Sequence, residues 1–316
     1  MDPKKLEEIR NLTNDTDETG KDELTLCFDI IFFYRGGFPE RHKEILNFYN
    51  RILDFLKGSE THYLIDMEGR FKKAKADTLE ILPFWADAPT VDRGVYGLIV
   101  ETADKSAAFS DRAFQTHNVT EHSGWTRLVL PIELFFKEGA DFWVKLALEL
   151  GGQLDFSSGS AGYALNQHLQ YSSAMENGKV HVTSRRFIGV DVAAPADFDR
   201  FVPCVNLAGQ DWLKTVNWLT FLGNSLLKRA GGEKTLRRRL SEAIIIHPMP
   251  NGIMIQAGKE PTFGDVNSGD SAPLYREVGR VLSELIIPAS VMSPWNSIGG
   301  TENTANWIHR FGSTER

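Results

Sequence analysis

The chain has 316 residues, of which 42% are hydrophobic and 24% are charged, and this balance excludes disordered and fibrous proteins. Its formal net charge of −7 at pH 7 opposes binding to nucleic acid phosphates and favours a basic partner. The longest apolar runs, such as residues 24–34, are much shorter than the roughly 18–20 residues that cross a bilayer, so we expect no membrane partner.

Two cysteines, Cys27 and Cys204, lie far apart in the sequence. Two thiols cannot build a disulfide framework or a four-thiolate zinc site, so we expect both to be reduced and packed in the core. Residues 1–20 contain neither the apolar stretch nor the small-residue cleavage site of a signal peptide. These features lead us to expect a cytoplasmic protein.

The N-terminal third predicts one strand and one helix after a polar start. Residues 1–23 are rich in charged and amide side chains, which predicts a frayed lead-in. A run of aromatic and β-branched residues over 24–34 predicts a buried strand. Residues 39–56 keep the apolar spacing of a helix, with Pro39 in the first turn and Gly58 after the last.

Three further strands are predicted over residues 62–67, 93–102 and 125–130, each bounded by Gly, Asp or Pro. Residues 83–94 contain two prolines together with Asp87 and Asp92, which predicts an exposed loop. Trp85 falls in this loop, and we therefore expect it at an interface.

The middle of the chain predicts helices over residues 140–150 and 161–175, followed by extended chain over 186–192. Residues 212–222 are apolar on both faces and fit a helix or a strand equally well. In the last third, two strands over 243–247 and 252–256 flank Asn251-Gly252, a hairpin turn signal. Further helices are predicted over residues 225–230, 234–240 and 273–287.

Helices and adjacent strand pairs interleave without a repeat period, which predicts an α+β fold with a mixed, largely antiparallel sheet packed with helices. We expect a lead-in over residues 1–23, an α+β domain over 24–288 and a C-terminal tail over 289–316. Whether the domain is one unit or two subdomains stays open. The tail carries Trp295 and Trp307, which we expect to pack back on the domain.

Catalytic motifs are weak throughout the sequence. His117, Glu121 and His122 form a pattern one residue longer than the inverted zinc motif, which favours surface residues over a metal site. Residues 157–162, SSGSAG, lack the surroundings of a nucleophile elbow or a phosphate loop and predict a turn before a helix. We therefore predict no catalytic residues, no metal and no cofactor.

Two charged clusters also favour a solvated surface over a functional site. Asp197 and Asp199 lie in a polar turn without a candidate nucleophile nearby. The basic residues of the segment 228–239 are spread around the axis of the predicted helices, so a nucleic acid site is the less favoured interpretation.

Several segments resemble a known family in their order and spacing. They are residues 186–191 (RFIGVD), 216–222 (VNWLTFL), Gly231-Gly232, 252–266 (GIMIQAGKEPTFGDV) and Tyr275-Arg276. Together they resemble domain-of-unknown-function family 3396, and the similarity covers about residues 24–288. That family is also described as type VI immunity for VRR-NUC effectors.

The resemblance implies a binding protein that is not an enzyme: it would bind a cognate nuclease effector and cover its DNA-binding or catalytic cleft. An acidic chain without catalytic motifs is compatible with that role. The residues that mark the family, among them Gly189, Asp191, Gly258, Pro261 and Gly264, fit turns and strand ends as well as contacts with the effector.

We expect the effector-binding surface on stiff acidic loops, because carboxylates can pair with the Lys and Arg side chains of a nuclease cleft. The expected contact residues are Trp85, Asp87, Asp92, Glu260, Asp265 and Asp270. Two alternatives stay open: a metal-dependent hydrolase that uses His117, Glu121 and His122 or Asp265 and Asp270, and an effector-delivery adaptor. Metal analysis tests the first alternative, and a nuclease assay on the purified pair tests the second.

Overall fold

The computed structural model describes residues 3–13, 15–16, 22–66, 71–89, 95–102, 112–120, 123–167, 179–193, 210–289 and 301–312. The strands of these residues are β1 Asp15–Thr16, β2 Asp22–Arg35, β3 His62–Ile65, β4 Lys72–Lys73, β5 Tyr96–Glu101, β6 Ala113–Thr120, β7 Ser123–Pro131, β8 Ser158–Gln167, β9 Asp191–Ala193, β10 Leu219–Gly223, β11 Ile244–Met249 and β12 Gly252–Ala257. The α-helices are α1 Pro3–Thr13, α2 Phe38–Leu56, α3 Ile81–Asp87, α4 Ile132–Glu138, α5 Ala140–Gly152, α6 Lys179–Arg186, α7 Asn224–Arg229, α8 Glu233–Arg239, α9 Pro273–Val281 and α10 Thr301–Ile308.

The strands form one sheet in the order β11-β12-β10-β8-β2-β7-β6-β5-β3-β4, with β1 beside β2 and β9 beside β8. The β8–β9 pair is parallel, and the other pairs of described strands are antiparallel. The predicted α+β fold with a mixed, largely antiparallel sheet is therefore confirmed. The predicted hairpin is confirmed as well, since β11 and β12 are adjacent and antiparallel.

Strand β2 lies at the centre of the sheet because both of its faces are apolar enough to be buried. On one face, the Phe28 ring stacks on Phe135 at 4.8 Å and lies 4.9 Å from Trp143. Phe32 is four residues further along the strand and therefore points to the same face, and its ring meets that of Phe48 edge to face at 6.2 Å. These rings attach α2, α4 and α5 to the same face of the sheet.

The opposite face of β2 carries a buried ion pair. Arg127 of β7 donates from Nε to the Asp29 carboxylate at 2.7 Å and from Nη1 to Gln115 Oε1 at 3.1 Å. Burial raises the pKa of Asp29, and the neighbouring Arg127 opposes this rise. A buried charge of this kind is tolerated because it is paired and hydrogen-bonded, and the pairing fixes the register of β2 against β7.

Strand β8 contradicts the helix predicted over residues 161–175 and the turn predicted over 157–162. The small residues at its start allow close contact with β2: a Cβ atom at Gly159 would lie 2.6 Å from the carbonyl oxygen of Ile31. The glycine and serines therefore make room for the large side chains of the neighbouring strand. Residues 168–175 lie outside the described residues.

Other departures from the sequence prediction are smaller. The frayed lead-in is wrong for residues 3–13, which form α1 with Ile9 fully buried. The prediction missed strand β6, and the ambiguous segment 212–222 ends in strand β10. The helix predicted over residues 273–287 is α9 followed by a 3-10 turn, Ser283–Leu285.

Cys27 is fully buried, as the sequence predicted, and its thiol donates to the Ala164 carbonyl at 3.4 Å. Cys204 lies outside the described residues. None of the helices found within the described ranges is long and apolar enough to cross a membrane.

We predict that Glu101 makes the stability of the fold depend on pH. Its carboxyl is buried in β5, and burial raises its pKa from 4.5 to about 8. Between these two values the folded chain holds a proton that the unfolded chain releases, so stability falls as pH rises, by at most about 1.4 kcal/mol per pH unit. Urea unfolding from pH 5 to 9 should show this slope, and Glu101→Gln should flatten it. The same slope in Glu101→Gln would contradict the assignment, and Glu138→Gln, at an exposed position, is the control.

Candidate functional site

Helix α3 occupies most of the segment for which the sequence predicted an exposed loop. A 3-10 turn, Thr78–Glu80, leads into it, and Thr78 Oγ1 accepts a hydrogen bond from the Lys75 backbone N–H at 2.7 Å. Pro83 lies in the first helical turn, where its missing N–H is not required. The loop prediction is therefore wrong for residues 81–87, because a proline within the first turn is compatible with a helix.

Trp85 is buried, with 7% of its surface exposed, and does not form the accessible anchor that the sequence predicted. Its ring meets Phe38 at 6.3 Å and Tyr96 at 5.6 Å, in both cases edge to face. Tyr49 of α2 donates its hydroxyl to the Leu79 carbonyl at 3.1 Å. Helix α3 is thus fixed to α2 and to β5, and Trp85 acts as its core residue.

The neighbouring Phe84 lies on the solvent-facing side of α3 and is 74% exposed. Asp77, Glu80 and Asp87 are also exposed. Their spacing of three, four and three residues places the four side chains along one side of the 3-10 turn and helix. We call these four residues, Asp77, Glu80, Phe84 and Asp87, the Phe84 face.

The Phe84 face combines an aromatic ring with carboxylates on a rigid support. Large hydrophobic side chains in the described part of the chain are exposed at Phe84, Val182, Ile245 and Val266, and Phe84 is the most exposed of them. Three exposed lysines lie close to the Phe84 face in the sequence: Lys72, Lys73 and Lys75, which precede the 3-10 turn. An exposed ring among carboxylates suits a partner with apolar and basic groups.

The second predicted acidic loop follows β12, and its carboxylates differ from one another in accessibility. Glu260 is exposed, whereas Asp265 is only 1% exposed. Asp265 pairs with Arg186 at 3.0 Å and accepts from Ser268 Oγ at 2.8 Å. Burial acts to raise the pKa of Asp265, but the hydrogen bonds from Arg186 and Ser268 outweigh it and hold this pKa below its ordinary value. Asp265 therefore shapes the loop.

Asp270 is half-buried, and its carboxylate also forms hydrogen bonds within the loop. Its carboxylate accepts from Thr262 Oγ1 at 2.5 Å and from the Ala272 backbone N–H at 2.9 Å. Asp265 and Asp270 therefore hold the loop itself through hydrogen bonds, and the exposure expected for them is wrong. Asp92 lies outside the described residues.

The two acidic regions do not form one compact site. Trp85 packs on Tyr96 of β5, while Phe263 of the second loop stacks on Tyr163 of β8 at 4.3 Å. Strands β6, β7 and β2 separate β5 from β8, and four interstrand spacings amount to about 19 Å. The structure therefore brings Asp87 together with Phe84, and it brings Asp265 and Asp270 together in a different place.

The family-marking segments contact each other. Ile188 and Gly189 donate their backbone N–H groups to the carbonyls of Gly264 and Phe263, at 3.1 and 2.9 Å. A Cβ atom at Gly189 would lie 2.2 Å from the Thr262 carbonyl oxygen. Gly189 and Gly264 are thus required by the close approach of two backbone segments.

The metal site considered from the sequence has little support in the described residues. His117 is buried in β6 with its ring 6.0 Å from that of Trp125, while Glu121 and His122 lie outside the described residues, as do Asp197 and Asp199. Within the described ranges, no three His, Cys, Asp or Glu side chains are grouped in a way that could hold a metal ion.

Some of the basic residues of the segment 228–239 form contacts that stabilise the fold. Arg237 donates to Glu233 and to the Ile246 carbonyl, both at 2.8 Å. Arg229 lies over the Trp212 ring at 4.6 Å. These two cations hold α7 and α8 against neighbouring chain segments, whereas Arg238 and Arg239 are exposed.

The sequence prediction took Trp85 as the exposed aromatic residue, whereas its neighbour Phe84 is the exposed one. The helical spacing of Asp77, Glu80 and Asp87 around Phe84 was the available signal, and treating the segment as a loop concealed it. Composition alone does not tell which of two adjacent aromatic side chains faces the core.

Comparison with known proteins identifies relatives of the chain. The model of the TsiV family, described as type VI immunity for VRR-NUC, matches residues 38–311. A solved structure titled Pseudomonas aeruginosa T6SS protein PA0821 has a similar fold, with a TM-score of 0.79 and 17% sequence identity. The alignment covers 95% of this chain and 86% of that chain. At this identity the likeness shows the fold alone. The search of curated proteins gives no match.

We predict unequal losses of stability for substitutions at the two adjacent aromatic residues. Trp85→Ala should lower the free energy of unfolding by about 3–5 kcal/mol, because it leaves a cavity between α3, Phe38 and Tyr96. Phe84→Ala should change it by less than about 0.5 kcal/mol, because the removed ring is mostly in solvent. Urea unfolding measures both values, and an equal loss in the two variants would show that the side chains are assigned to the wrong sides.

Proposed function

The chain belongs to the TsiV family of type VI immunity for VRR-NUC, and we propose that it neutralises its cognate nuclease effector by binding through the Phe84 face. In this proposal the face covers the DNA-binding or active-site cleft of the effector. The observation that carries the proposal is the 74% exposed Phe84 held on a fixed helix among three exposed carboxylates.

The charge of the face supports a nuclease cleft as its target. A nuclease must present Lys and Arg side chains to phosphates, and carboxylates are acceptors for the same donors. Asp77, Glu80 and Asp87 would occupy these donors and would thereby compete with DNA. The net charge of −7 adds a long-range attraction to a basic partner, which speeds the encounter at low salt.

The packing of α3 supports the role of Phe84 as an anchor. Trp85 and the Tyr49 hydrogen bond already hold the helix in place, so little order has to be gained when the effector binds. An aromatic ring that enters a pocket on the partner and loses its water is the usual form of a binding hot spot. We therefore expect Phe84 to control dissociation and the carboxylates to control association.

We keep Asp92, which follows α3 in the sequence, as a proposed contact, and we propose Glu260, in the loop beside β8, for a second contact; β5 and β8 are about 19 Å apart across the sheet. An interface of about 800 Å² per partner is roughly 30 Å wide, so one effector could touch both. Asp265 and Asp270 would position the loop that carries Glu260. We do not expect the buried Trp85 to touch the effector.

The proposed mode is stoichiometric binding in the cytoplasm, without turnover, cofactor or nucleic acid. A complex that forms but leaves the nuclease active would instead favour a delivery adaptor. Both outcomes can be read from one titration of nuclease activity with the purified chain.

We predict that the two kinds of residue on the Phe84 face change different rate constants. Phe84→Ala should raise the dissociation rate and weaken binding about 30-fold or more, as expected for loss of a hot spot. Neutralising the carboxylates together, as Asp77→Asn, Glu80→Gln and Asp87→Asn, should mainly slow association and reduce its dependence on salt. Surface plasmon resonance at two ionic strengths measures both, together with inhibition of DNA cleavage.

A charge-matched control separates the effect of the carboxylates of the Phe84 face from the effect of the net charge of the chain. The triple variant Glu242→Gln, Glu284→Gln and Glu302→Gln removes three other exposed carboxylates and should keep most of the affinity. Equal slowing of association in the two triple variants would assign the effect to net charge. Unchanged binding and inhibition by Phe84→Ala would place the interface elsewhere, while the family membership would stand.

A further inference from the structure

A cavity of about 370 Å³ lies between α6 and α10, at a distance in sequence from the Phe84 face. Three of its lining side chains can carry positive charge: His181, Arg185 and Arg310. The described residues that line it include no Asp or Glu. A cleft with cations and no carboxylate attracts anions.

Arg310 is the most unusual of the three because it is buried, with 8% of its surface exposed. Its Nε donates to the Ile188 carbonyl at 2.7 Å, and its Nη1 donates to Thr215 Oγ1 at 3.1 Å and to the Trp307 carbonyl at 2.9 Å. All three acceptors are neutral. In the described part of the chain, Nη2 has no hydrogen-bond acceptor and no carboxylate pairs with the guanidinium.

The nearest candidate counter-ion is already occupied. Asp191 accepts from Lys214 Nζ with both carboxylate oxygens, at 3.0 and 3.1 Å. Burial lowers the pKa of Arg310 to about 9, and the charge of Asp191 opposes this only in part. The Trp307 and Phe311 rings, 4.0 and 4.4 Å from the guanidinium, stabilise the cation but supply no negative charge. Within the described ranges, Arg310 is therefore a buried cation without a direct counter-ion.

Two more buried nitrogen atoms of residues that line the cavity have no hydrogen-bond partner among the described residues. They are Nε1 of Trp307, a residue that is 5% exposed, and Nδ1 of His181. Burial lowers the pKa of His181, and Arg185 lowers it further. Buried polar atoms without a hydrogen-bond partner are rare in folded proteins because leaving them unpaired is unfavourable, and the Trp307 indole N–H can only donate. An oxygen-rich ligand would supply the acceptor that the Trp307 N–H lacks.

We propose that the cavity between α6 and α10 binds a small molecule through an oxyanion, a phosphate or a carboxylate, with Arg310 and Arg185 as its counter-charges. A guanidinium fork matches the geometry of either group. The volume exceeds that of the oxyanion alone and lies within the range of small-molecule sites, so the remainder of the ligand also has space.

Isothermal titration of the full chain with inorganic phosphate and, separately, with acetate tests the proposal at an ionic strength held constant with chloride. We expect saturable binding of at least one anion to one site per chain, and the tighter of the two identifies the class of ligand. Arg185→Gln and Asn306→Asp change exposed positions of the lining, so they should leave the fold intact and weaken binding about tenfold or more. Arg238→Gln, at an exposed position of α8, should leave binding unchanged.

A second measurement locates the site without disturbing it. Addition of the binding anion should shift the imidazole resonances of His181, assigned with a His181→Gln variant. Absence of saturable binding of both anions would overturn the proposal. Binding that Arg185→Gln and Asn306→Asp do not weaken would also overturn it, as would binding that Arg238→Gln weakens as much as these two variants do. The same holds for binding that leaves the His181 resonances unmoved.

Discussion

The burial of β2 on both faces is the constraint on which the rest of the structure depends. One face supplies Phe28 and Phe32, whose rings attach α4, α5 and α2 to the sheet. The other face carries Asp29, which is compensated by Arg127 of the next strand. Neighbouring strand β8 can approach closely because it begins with small residues. The position of α2 then fixes Phe38, on which Trp85 packs, so the exposure of Phe84 follows from the central strand.

The C-terminal half is joined to the sheet by charged pairs and by backbone contacts. Lys214 pairs with Asp191, and Arg186 pairs with Asp265, in both cases with a carboxylate that is almost completely buried. The Arg186–Asp265 pair connects two of the segments that mark the family, residues 186–191 and 252–266. Their role in the fold leaves recognition of a particular effector to exposed residues, which can vary without loss of stability.

Elements with a strong local pattern could be predicted from the sequence. Strand β2 has an uninterrupted apolar run, α2 has regular apolar spacing, and Asn251-Gly252 marks the β11–β12 hairpin. Strand β8 could not be predicted, because its small residues are explained by the side chains of β2, which are distant in sequence. Helix α3 was missed because Pro83 is compatible with both a loop and a first helical turn.

The candidate site was predicted only in part, for a related reason. The acidic segment around residue 85 was found, but its accessible ring is Phe84, because Phe38 and Tyr96 enclose Trp85. Asp265 has the composition of a binding residue, yet its partner Arg186 is 79 residues away in the sequence. Tertiary contacts of this kind decide which polar residues remain available to a partner, and local patterns do not reveal them.

The most direct measurement of the central claim is site-specific photo-cross-linking in the complex with the cognate effector. A benzophenone side chain is placed at position 84 on α3 or, for comparison, at position 245 on the edge strand β11, where Ile245 is also exposed. We expect an adduct with the effector from position 84 and none from position 245. Efficient cross-linking from position 245, with none from position 84 in a fully formed complex, would contradict it.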